Sequence, residues 1–333
     1  MAILVTGAAG FIGFHTALAL LRRGETVIGV DNLNPYYSVA LKRARLAELQ
    51  SAPGFAFREA DIADRHAVEA LLDAHPGIDR IVHLAAQAGV RYSLENPYAY
   101  VQANVMGQVV LLEAARCLKT LRHLVYASSS AVYGGNRKQP FAVTDPVDRP
   151  VSLYAATKRS AELIAQTYAG LYGMPLTGLR YFTVYGPWGR PDMAPWLFTE
   201  AILAGRPIDL FNRGEMARDF TYIDDIVAGT LAAIDRPPPS GEHRLYNLGN
   251  HRPERLADFV ALLEQAIGRT AEKRLLPMQP GDVPETCADI TESRRDLGYE
   301  PTTTLAEGLP RFVEWFRAYH GGLRSAYPPY TAP

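Results

Sequence analysis

Tyr154 and Lys158 stand four residues apart, which is one turn of a helix, and three consecutive serines, 128 to 130, precede them in the chain. A tyrosine hydroxyl is a poor base at neutral pH because its ordinary pKa is about 10. A lysine ammonium on the same helix face stabilises the phenolate, and a serine hydroxyl can share the proton of a reacting oxygen. Ser129, Tyr154 and Lys158 therefore form a candidate catalytic set for hydride chemistry at a secondary alcohol.

A glycine-rich turn lies near the start of the chain, where an apolar strand leads into Gly7, Gly10 and Gly13. Glycines at this spacing allow a tight turn, close approach of the backbone to a pyrophosphate and close packing of the next helix. A second strand ends in Asp31, at the distance expected for a carboxylate that binds the adenosine ribose. Asp31 repels a 2′-phosphate and its neighbour Asn32 carries no positive charge, so the sequence favours NAD over NADP.

Two further strands end in residues that suit the same ligand. Asp61 follows the third strand, where its carboxylate suits the adenine amino group, although a helix N-cap for the stretch from Asp64 explains it equally well. The fourth strand ends at His83, which we interpret as a core residue, and small residues follow it. The predicted cofactor-binding residues are Gly7, Gly10, Phe11, Ile12, Gly13, Asp31, Asn32, Asp61, Ile62, Leu84, Ala85, Ala86, Asn104, Ser128, Tyr154, Lys158, Tyr181 and Val184.

The elements that must position these residues alternate along the chain. Strand-like runs end near residues 6, 31, 61, 83, 128 and 181, and amphipathic stretches separate most of them. This alternation predicts an α/β fold with a doubly wound parallel sheet of the Rossmann type. Beyond residue 188 we expect shorter elements, with helices at 196–204, 223–234, 256–267 and 305–319 and strands at 208–211 and 245–248. We predict an NAD-binding domain over 1–187, to which later segments return, and mainly a smaller C-terminal α/β substrate lobe over 188–333.

Composition limits the partners that we expect. The 333-residue chain has 34 Lys and Arg against 35 Asp and Glu, so its charge gives no reason to expect nucleic acid or an anionic membrane. Cys117 and Cys287 are its only cysteines and indicate neither a disulfide framework nor a metal cluster. No export signal is visible, and no apolar stretch approaches the roughly 20 residues that span a bilayer. We expect a cytoplasmic protein without a bound metal.

Several longer motifs accompany the catalytic set. They are DNLNPYY at 31–37, RYFTVYGP at 180–187, GRPDM at 189–193, RDFTYIDD at 218–225 and QPGDVP at 279–284. With them the chain resembles the extended short-chain dehydrogenases/reductases over nearly its whole length. Within that group it resembles the nucleotide-sugar epimerases, and most closely the UDP-glucuronate 4-epimerases.

The resemblance implies a reaction. Tyr154 would remove the proton from the sugar 4-hydroxyl while hydride passes from C4 to tightly held NAD+, and the 4-keto sugar would rotate before the hydride returns to its other face. Lys158 would lower the pKa of Tyr154 and bind the nicotinamide ribose, and Ser129 would hydrogen-bond the reacting oxygen. NAD is then regenerated in each turnover. A homodimer through helices near 101–118 and 160–171 is also implied, although an apolar helix face packs equally well inside the sheet layers.

The nature of the sugar depends on a carboxylate. A uronic acid oxidised at C4 is a β-keto acid, which loses CO2 readily when its carboxylate is perpendicular to the ketone plane. The resemblance places Arg190 and the segment from Ser129 to Ala131 around this group, where the arginine can form a charge-assisted bond; the alternative is a solvated loop arginine. The predicted substrate-binding residues are Gln87, Arg91, Ser129, Ser130, Thr183, Arg190, Arg218 and Asp282, with Arg218 assigned to the diphosphate.

Other activities stay open to different degrees. Ala131 replaces a residue that is often serine in the family, so an epimerase of neutral or N-acetylated UDP-hexoses is the main alternative. The related dehydratases carry Asp-Glu where Ser130 and Ala131 stand, and UDP-glucuronate decarboxylases tend to carry Glu at 131, so both are less favoured. A non-catalytic dinucleotide-binding protein would commonly lack the tyrosine or the lysine.

Two of the predicted substrate-binding arginines also have alternative roles. Arg91 can be a charged loop residue without a ligand, and Arg218 can form a surface salt bridge to Asp219 or Asp225.

Overall fold

The computed structural model describes residues 1–279 and 282–322. Its strands are β1 (Ala2–Thr6), β2 (Val27–Asp31), β3 (Phe55–Glu59), β4 (Ile78–His83), β5 (His123–Ser129), β6 (Leu176–Tyr181), β7 (Thr183–Tyr185), β8 (Ile208–Leu210), β9 (Ala217–Tyr222), β10 (His243–Leu248), β11 (Pro253–Arg255) and β12 (Lys273–Leu275). Its α-helices are α1 (Phe11–Arg22), α2 (Val39–Gln50), α3 (Arg65–Ala74), α4 (Tyr92–Glu95), α5 (Pro97–Tyr100), α6 (Gly107–Ala115), α7 (Leu153–Tyr172), α8 (Ala194–Ala204), α9 (Ile223–Ile234), α10 (Leu256–Ile267) and α11 (Leu305–Gly322). Shorter helical segments lie at Val101–Met106, Ser130–Tyr133, Phe211–Gly214 and Ser293–Leu297.

Seven strands form one parallel sheet in the order β10-β6-β5-β4-β1-β2-β3. The strand order reverses direction beside β1, because β2 lies on one side of it and β4 on the other. In sheets of this kind ligands bind beyond the carboxyl ends of the strands at such a switch point. The predicted fold class, a doubly wound parallel α/β sheet, is confirmed.

Both faces of the sheet are covered, as a parallel sheet requires. Successive side chains of a strand point to opposite faces, so Ile3 and Val5 pack in one hydrophobic core while Leu4 packs in the other. The first core contains Phe14 of α1, and the second contains Leu111 of α6. The central strands are thereby held rigidly, with their carboxyl ends free to carry polar side chains.

The second half of the chain builds two small sheets, β11-β9-β7 and β12-β8. The strand β10 instead returns to the edge of the main sheet and pairs with β6. The helices predicted at 223–234 and 256–267 match α9 and α10 residue for residue, whereas α8 begins two residues before the predicted 196. The third strand ends at Glu59, two residues before the predicted Asp61. The division of the chain at residue 187 stays a prediction.

A buried ion pair joins α7 to the sheet. Arg180 of β6 donates from Nε to Glu162 Oε1 at 2.8 Å and from Nη2 to Oε2 at 2.9 Å, and the Ser128 hydroxyl donates to the same carboxylate at 2.6 Å. Burial alone would raise the pKa of Glu162, but the hydrogen bonds and charge of Arg180 hold this pKa below its usual value. Glu162 is therefore a buried anion whose partners fix α7 against β5 and β6.

Glu162→Gln should lower the free energy of unfolding by about 3–5 kcal/mol, because it leaves the buried Arg180 guanidinium without an anionic partner. Urea denaturation would measure the change. Glu69→Gln is the matched control, since Glu69 pairs with Arg65 on the surface, where solvent screens the interaction and the pair contributes little to stability. A change at Glu162 no larger than that of the control would contradict the prediction.

Candidate active site

One cleft runs along the carboxyl edge of the main sheet and brings together most of the predicted site residues. Those that line it are Gly7, Gly10, Phe11, Ile12, Gly13, Asp31, Asn32, Asp61, Ile62, Leu84, Ala85, Ala86, Gln87, Ser128, Ser129, Tyr154, Lys158, Tyr181, Val184 and Arg190. The lining also includes residues that we did not predict, namely Asn34, Tyr36, Tyr37, Lys42, Ala60, Ala88, Ala103, Ala127, Phe182 and Met193. Six predicted residues lie outside the lining: Arg91, Asn104, Ser130, Thr183, Arg218 and Asp282.

The glycine turn is closed too tightly for side chains. A Cβ added at Gly13 would collide with the Gly7 carbonyl oxygen. At Gly7 the backbone has a positive φ of +71°, and an added Cβ would lie 2.7 Å from the Ala85 nitrogen. The turn therefore presents bare backbone to the cleft at the N-terminus of α1, which fits the pyrophosphate of a dinucleotide.

The acidic residues at this end of the cleft are held by the backbone. Asp31 accepts hydrogen bonds from the amides of Ala9 at 3.1 Å and Leu33 at 2.9 Å, which fix its carboxylate at the end of β2. Asp61 accepts from the Asn32 side-chain amide at 3.0 Å. The N-cap of α3 is Asp64, whose carboxylate accepts from Ala67, so the N-cap alternative for Asp61 is wrong. Asp31 and Asp61 fit the adenosine part of NAD.

Tyr154 and Lys158 occupy consecutive turns of α7. The helix begins after Ser152, whose hydroxyl accepts from the Ala155 amide at 3.1 Å, and this cap places Tyr154 in the first turn. Lys158 is buried and donates to the Ala127 carbonyl of β5 at 2.9 Å. Burial lowers the pKa of Lys158 to about 8, with the Glu162 charge acting in the opposite direction.

The pKa of Tyr154 differs from our expectation. We expected Lys158 to lower the pKa of this tyrosine, but burial raises the pKa of Tyr154, and the Ser129 hydroxyl and the Arg190 charge are what oppose the increase. Burial lowers the pKa of Lys158 to about 8 and raises that of Tyr154, so the lysine has lost its charge at the pH where the tyrosine ionises. The structure therefore assigns the lowering effect to Ser129 and Arg190.

Two predicted cofactor residues turn their side chains away from the cleft. The Ser128 hydroxyl donates to the buried Glu162, so only the rest of this residue lines the cleft. The Asn104 side-chain amide bonds the backbone nitrogen and oxygen of Gln87, at 2.8 and 3.0 Å, and the Thr157 hydroxyl. Asn104 therefore joins the segment after β4 to α7 and supports Gln87, which does line the cleft. His83 is a core residue, as expected, and bonds the Thr6 hydroxyl.

Arg190 is a cleft residue and not a solvated loop arginine. Its Nε donates to Asp192 Oδ1 at 3.0 Å, and its Nη2 bonds the other carboxylate oxygen. The Tyr36 hydroxyl donates to Asp192 at 3.1 Å. Burial would lower the pKa of Arg190, but Asp192 raises it above its ordinary value. The sequence motif contains Asp192, but only the structure shows that it holds the guanidinium.

A second polar cluster joins Arg91 to residues in the later part of the chain. Arg91 bonds Asp282 at 3.3 Å, and the Arg218 guanidinium donates to the carbonyls of Ala217 and Pro284 at 3.0 and 3.1 Å. Burial lowers the pKa of Arg218, and the Asp282 charge opposes this. Two positions of the QPGDVP motif, Pro280 and Gly281, lie outside the described residues.

The surface salt bridge that we considered for Arg218 is not formed. Asp219 accepts from the amides of Asn250, His251 and Ala288 and from the Thr221 hydroxyl. Asp225 accepts from Thr302 and Thr303. Both carboxylates are used for these internal hydrogen bonds, which leaves the charge of Arg218 to other partners.

Residues 1–279 and 282–322 offer neither a membrane-spanning helix nor a group of side chains suited to a metal ion. In these ranges no helix has the length and apolar character needed to cross a membrane. Within the same ranges, His, Cys, Asp and Glu side chains do not form a group of three or more that is suited to a metal ion.

Known proteins resemble this chain throughout its length. UDP-glucuronate 4-epimerase 4 of Arabidopsis thaliana is 49% identical, covering 97% of this chain and 77% of the relative. A crystal structure of UDP-glucuronic acid 4-epimerase from Bacillus cereus, in complex with UDP-glucuronic acid and NAD, is 36% identical with a TM-score of 0.90, covering 96% of this chain and 100% of that one. A UDP-glucose 4-epimerase from Thermotoga maritima, with UDP-glucose, is 33% identical with a TM-score of 0.86 and the same coverage.

The model of the NAD dependent epimerase/dehydratase family matches residues 3–249, which contain the glycine turn, Asp31, Ser129, Tyr154 and Lys158. The family that we inferred from the motifs is confirmed. Because this match covers most of the sequence, the chain belongs to the NAD dependent epimerase/dehydratase family.

Proposed function

We propose that the chain is an NAD-dependent UDP-sugar 4-epimerase that interconverts UDP-glucuronate and UDP-galacturonate. The observation that carries this proposal is that one cleft holds Ser129, Tyr154, Lys158 and Arg190 beside the glycine turn. The relatives named as UDP-glucuronate 4-epimerases support the activity, and the similar structure that contains NAD supports the cofactor. Epimerisation of neutral or N-acetylated UDP-hexoses is the second candidate, favoured by Ala131 and by the similarity to a UDP-glucose 4-epimerase.

The cofactor would occupy the sheet side of the cleft. The bare backbone of Gly7 to Gly13 would hold the pyrophosphate, Asp31 the adenosine ribose and Asp61 the adenine amino group. Lys158 would bind the nicotinamide ribose. When bound, NAD supplies a hydride acceptor that can return the hydride in the same turnover.

The protein side chains would move and hold protons around the sugar. Tyr154 Oη would take the proton of the 4-hydroxyl and give it back after the 4-keto sugar has turned its other face. Ser129 Oγ would hydrogen-bond the reacting oxygen throughout. Because Ser129 and Arg190 oppose the effect of burial on the pKa of Tyr154, the two residues that would touch the substrate also favour the phenolate.

The carboxylate of the sugar would be held by Arg190. The Arg190 guanidinium is itself held by Asp192 and, through it, by Tyr36, so its orientation in the cleft is defined. A fixed, charge-assisted bond can keep the carboxylate away from the perpendicular orientation in which a β-keto acid loses CO2. This geometry would favour epimerisation over decarboxylation.

The rest of the nucleotide would extend towards the second lobe. Arg218 would bind the diphosphate, because its partners are neutral carbonyl groups and its charge is not used by Asp219 or Asp225. Arg91 and Asp282 would lie beside it, and Gln87, Ser130 and Thr183 would contact the sugar path.

We also propose that the protein is a cytoplasmic homodimer. The helical segments between residues 92 and 115 and helix α7 pack against each other and carry large apolar side chains that remain exposed. These are Leu94, Tyr98, Val101, Met106, Leu163, Leu171 and Tyr172. An exposed apolar surface of this kind is typical of an interface, and a second copy of the chain would cover it.

The dimer proposal predicts that Leu163→Glu combined with Leu171→Glu gives a monomer, because both side chains are more than half exposed, at 53% and 71%. Analytical ultracentrifugation would report half the mass of the wild type. Leu275→Glu, which changes an equally exposed leucine (61%) on β12, is the control and should leave the mass unchanged. A wild-type protein that sediments as a single chain would disprove the dimer.

The activity is tested by incubating the purified protein with UDP-glucuronate and, separately, with UDP-glucose, and identifying the products by NMR. We expect UDP-galacturonate from the first. Turnover of the neutral sugar alone would establish the second candidate, and a UDP-pentose would indicate decarboxylation.

Tyr154→Phe should reduce this turnover by at least about 100-fold, because the general base is lost while the ring remains. Tyr172→Phe, on the exposed end of the same helix, is the control and should be fully active. Turnover that survives Tyr154→Phe would show that another group is the base.

Lys158→Met should reduce turnover but stabilise the cofactor-free protein at pH 7. Burial lowers the pKa of Lys158 from 10.5 to about 8. Below pH 8 the folded state therefore buries a charged ammonium that water solvates in the unfolded state, and this destabilises the fold. Between about pH 8 and 10.5 the unfolded state binds more protons, and wild-type stability rises with pH in that window.

The stability advantage of the Met variant should therefore be largest below pH 8 and shrink as the pH approaches 10.5. Urea denaturation at several pH values measures it, and Lys119→Met on the exposed surface is the control. A variant less stable than wild type at pH 7 would show that the lysine has a structural role.

A further inference from the structure

Arg45 of α2 is completely buried, yet the hydrogen bonds of its guanidinium go to neutral oxygens. Nη1 donates to the Ala9 carbonyl and to the Tyr37 hydroxyl, both at 2.8 Å. Nη2 donates to the carbonyls of Trp188 at 2.6 Å and Gly189 at 3.1 Å. One side chain thus joins three segments that are far apart in the sequence.

The first of these segments is the glycine turn. The Ala9 amide donates to the Asp31 carboxylate at 3.1 Å, while the Ala9 carbonyl accepts from Arg45 at 2.8 Å. Ala9 lies between two of the cleft-lining glycines, Gly7 and Gly10. Arg45 therefore helps to fix both the backbone that would hold the pyrophosphate and the carboxylate that would hold the ribose.

The second segment leads directly to Arg190. Trp188 has a positive φ of +61°, a conformation that costs energy for a bulky residue and persists only where its surroundings impose it. Arg45 bonds this residue and the next, and His15 of α1 bonds the preceding carbonyl of Pro187 at 2.9 Å. The backbone on the N-terminal side of Arg190 is consequently anchored to α1 and α2, the helices that follow β1 and β2.

A core-filling role alone does not account for an arginine here. Among the described residues Arg45 has no counter-ion, and its Nε is buried there without a hydrogen-bond partner. Burying a guanidinium in this way costs free energy that an apolar residue of similar size would avoid. The planar group can, however, donate in several fixed directions at once, which a lysine ammonium on its flexible stem cannot reproduce. An arginine therefore suits this position, because its guanidinium can hold separate loops in fixed positions relative to one another.

We propose that Arg45 is a positioning residue that couples the dinucleotide site to the substrate arginine, so that one side chain sets the affinity for NAD and for the sugar carboxylate. The sugar half of this inference rests on the proposed function. Arg45 itself touches neither ligand in this scheme; it acts through Ala9 and through the backbone before Arg190.

Arg45→Lys tests the coupling, with Arg43→Lys, an exposed arginine on the same helix, as the matched control. In Arg45→Lys, NAD should leave the purified protein about tenfold faster, which corresponds to about 1.4 kcal/mol. On the NAD-loaded protein, the Kd for UDP-glucuronate measured by calorimetry should rise about tenfold, whereas the Kd for UDP should change less than about twofold. Arg43→Lys should match the wild type in all three measurements.

UDP is the internal reference, because it lacks the sugar that Arg190 would meet and a general loss of structure would weaken both ligands. Equal losses for UDP and UDP-glucuronate, or an unchanged rate of NAD release, would overturn the proposal. If Arg45→Lys does not fold, Tyr37→Phe removes one partner of Arg45 and should change the same measurements in the same direction by about threefold; no change would overturn the proposal.

The outcome is separable from that of the proposed function. A wild-type protein that does not convert UDP-glucuronate refutes the proposed function, whereas NAD release from Arg45→Lys is measured without any sugar. Faster NAD release then supports the cofactor half of the inference, and unchanged release overturns the inference in either case.

Discussion

The positions of Ser129, Tyr154 and Lys158, the candidate catalytic set, depend on the buried carboxylate of Glu162. Glu162 lies one turn after Lys158 on α7. Its carboxylate accepts a hydrogen bond from the Ser128 hydroxyl at the end of β5 and forms an ion pair with Arg180 of β6. The helix that carries Tyr154 is thereby fixed against the strand that carries Ser129. A helix packed on a sheet by apolar contacts alone can shift or rotate at small cost, because such contacts are non-directional. The directional bonds of Glu162 remove that freedom, and its charge opposes the effect of burial on the pKa of Lys158.

The Arg190 side of the cleft is fixed in a comparable way, but by elements that are far apart in the chain. The segment after β7 carries Arg190. Hydrogen bonds from α1, from α2 and from Tyr36 in the loop between β2 and α2 hold this segment in place. These contacts come from the part of the protein that would bind the dinucleotide. The two halves of the site therefore do not form independently, and a change in one loop can alter the binding of both ligands.

The sequence predicted local features well and long-range pairings poorly. The strand ends, the glycine turn and the spacing of Tyr154 and Lys158 follow from local periodicity and sterics, and the structure has the predicted fold. The partners of Arg190, Asn104 and Ser128 depend on which segments meet in space, which no local pattern encodes. A buried arginine such as Arg45 gives no signal either, because its neighbours on α2 include the exposed Arg43 and the pattern around it is that of an ordinary amphipathic helix.

The same distinction explains why the electrostatics of Tyr154 were predicted wrongly. Spacing on a helix shows that Lys158 can approach the tyrosine, but it does not show that burial lowers the pKa of the lysine itself. Burial disfavours both the phenolate and the ammonium, so neither group can rely on the other alone to hold its charge. Ser129 and Arg190 supply the opposing interactions at the tyrosine, and Glu162 supplies them at the lysine. The ionisation of Tyr154 and Lys158 therefore depends on residues from β5, α7 and the loop that carries Arg190.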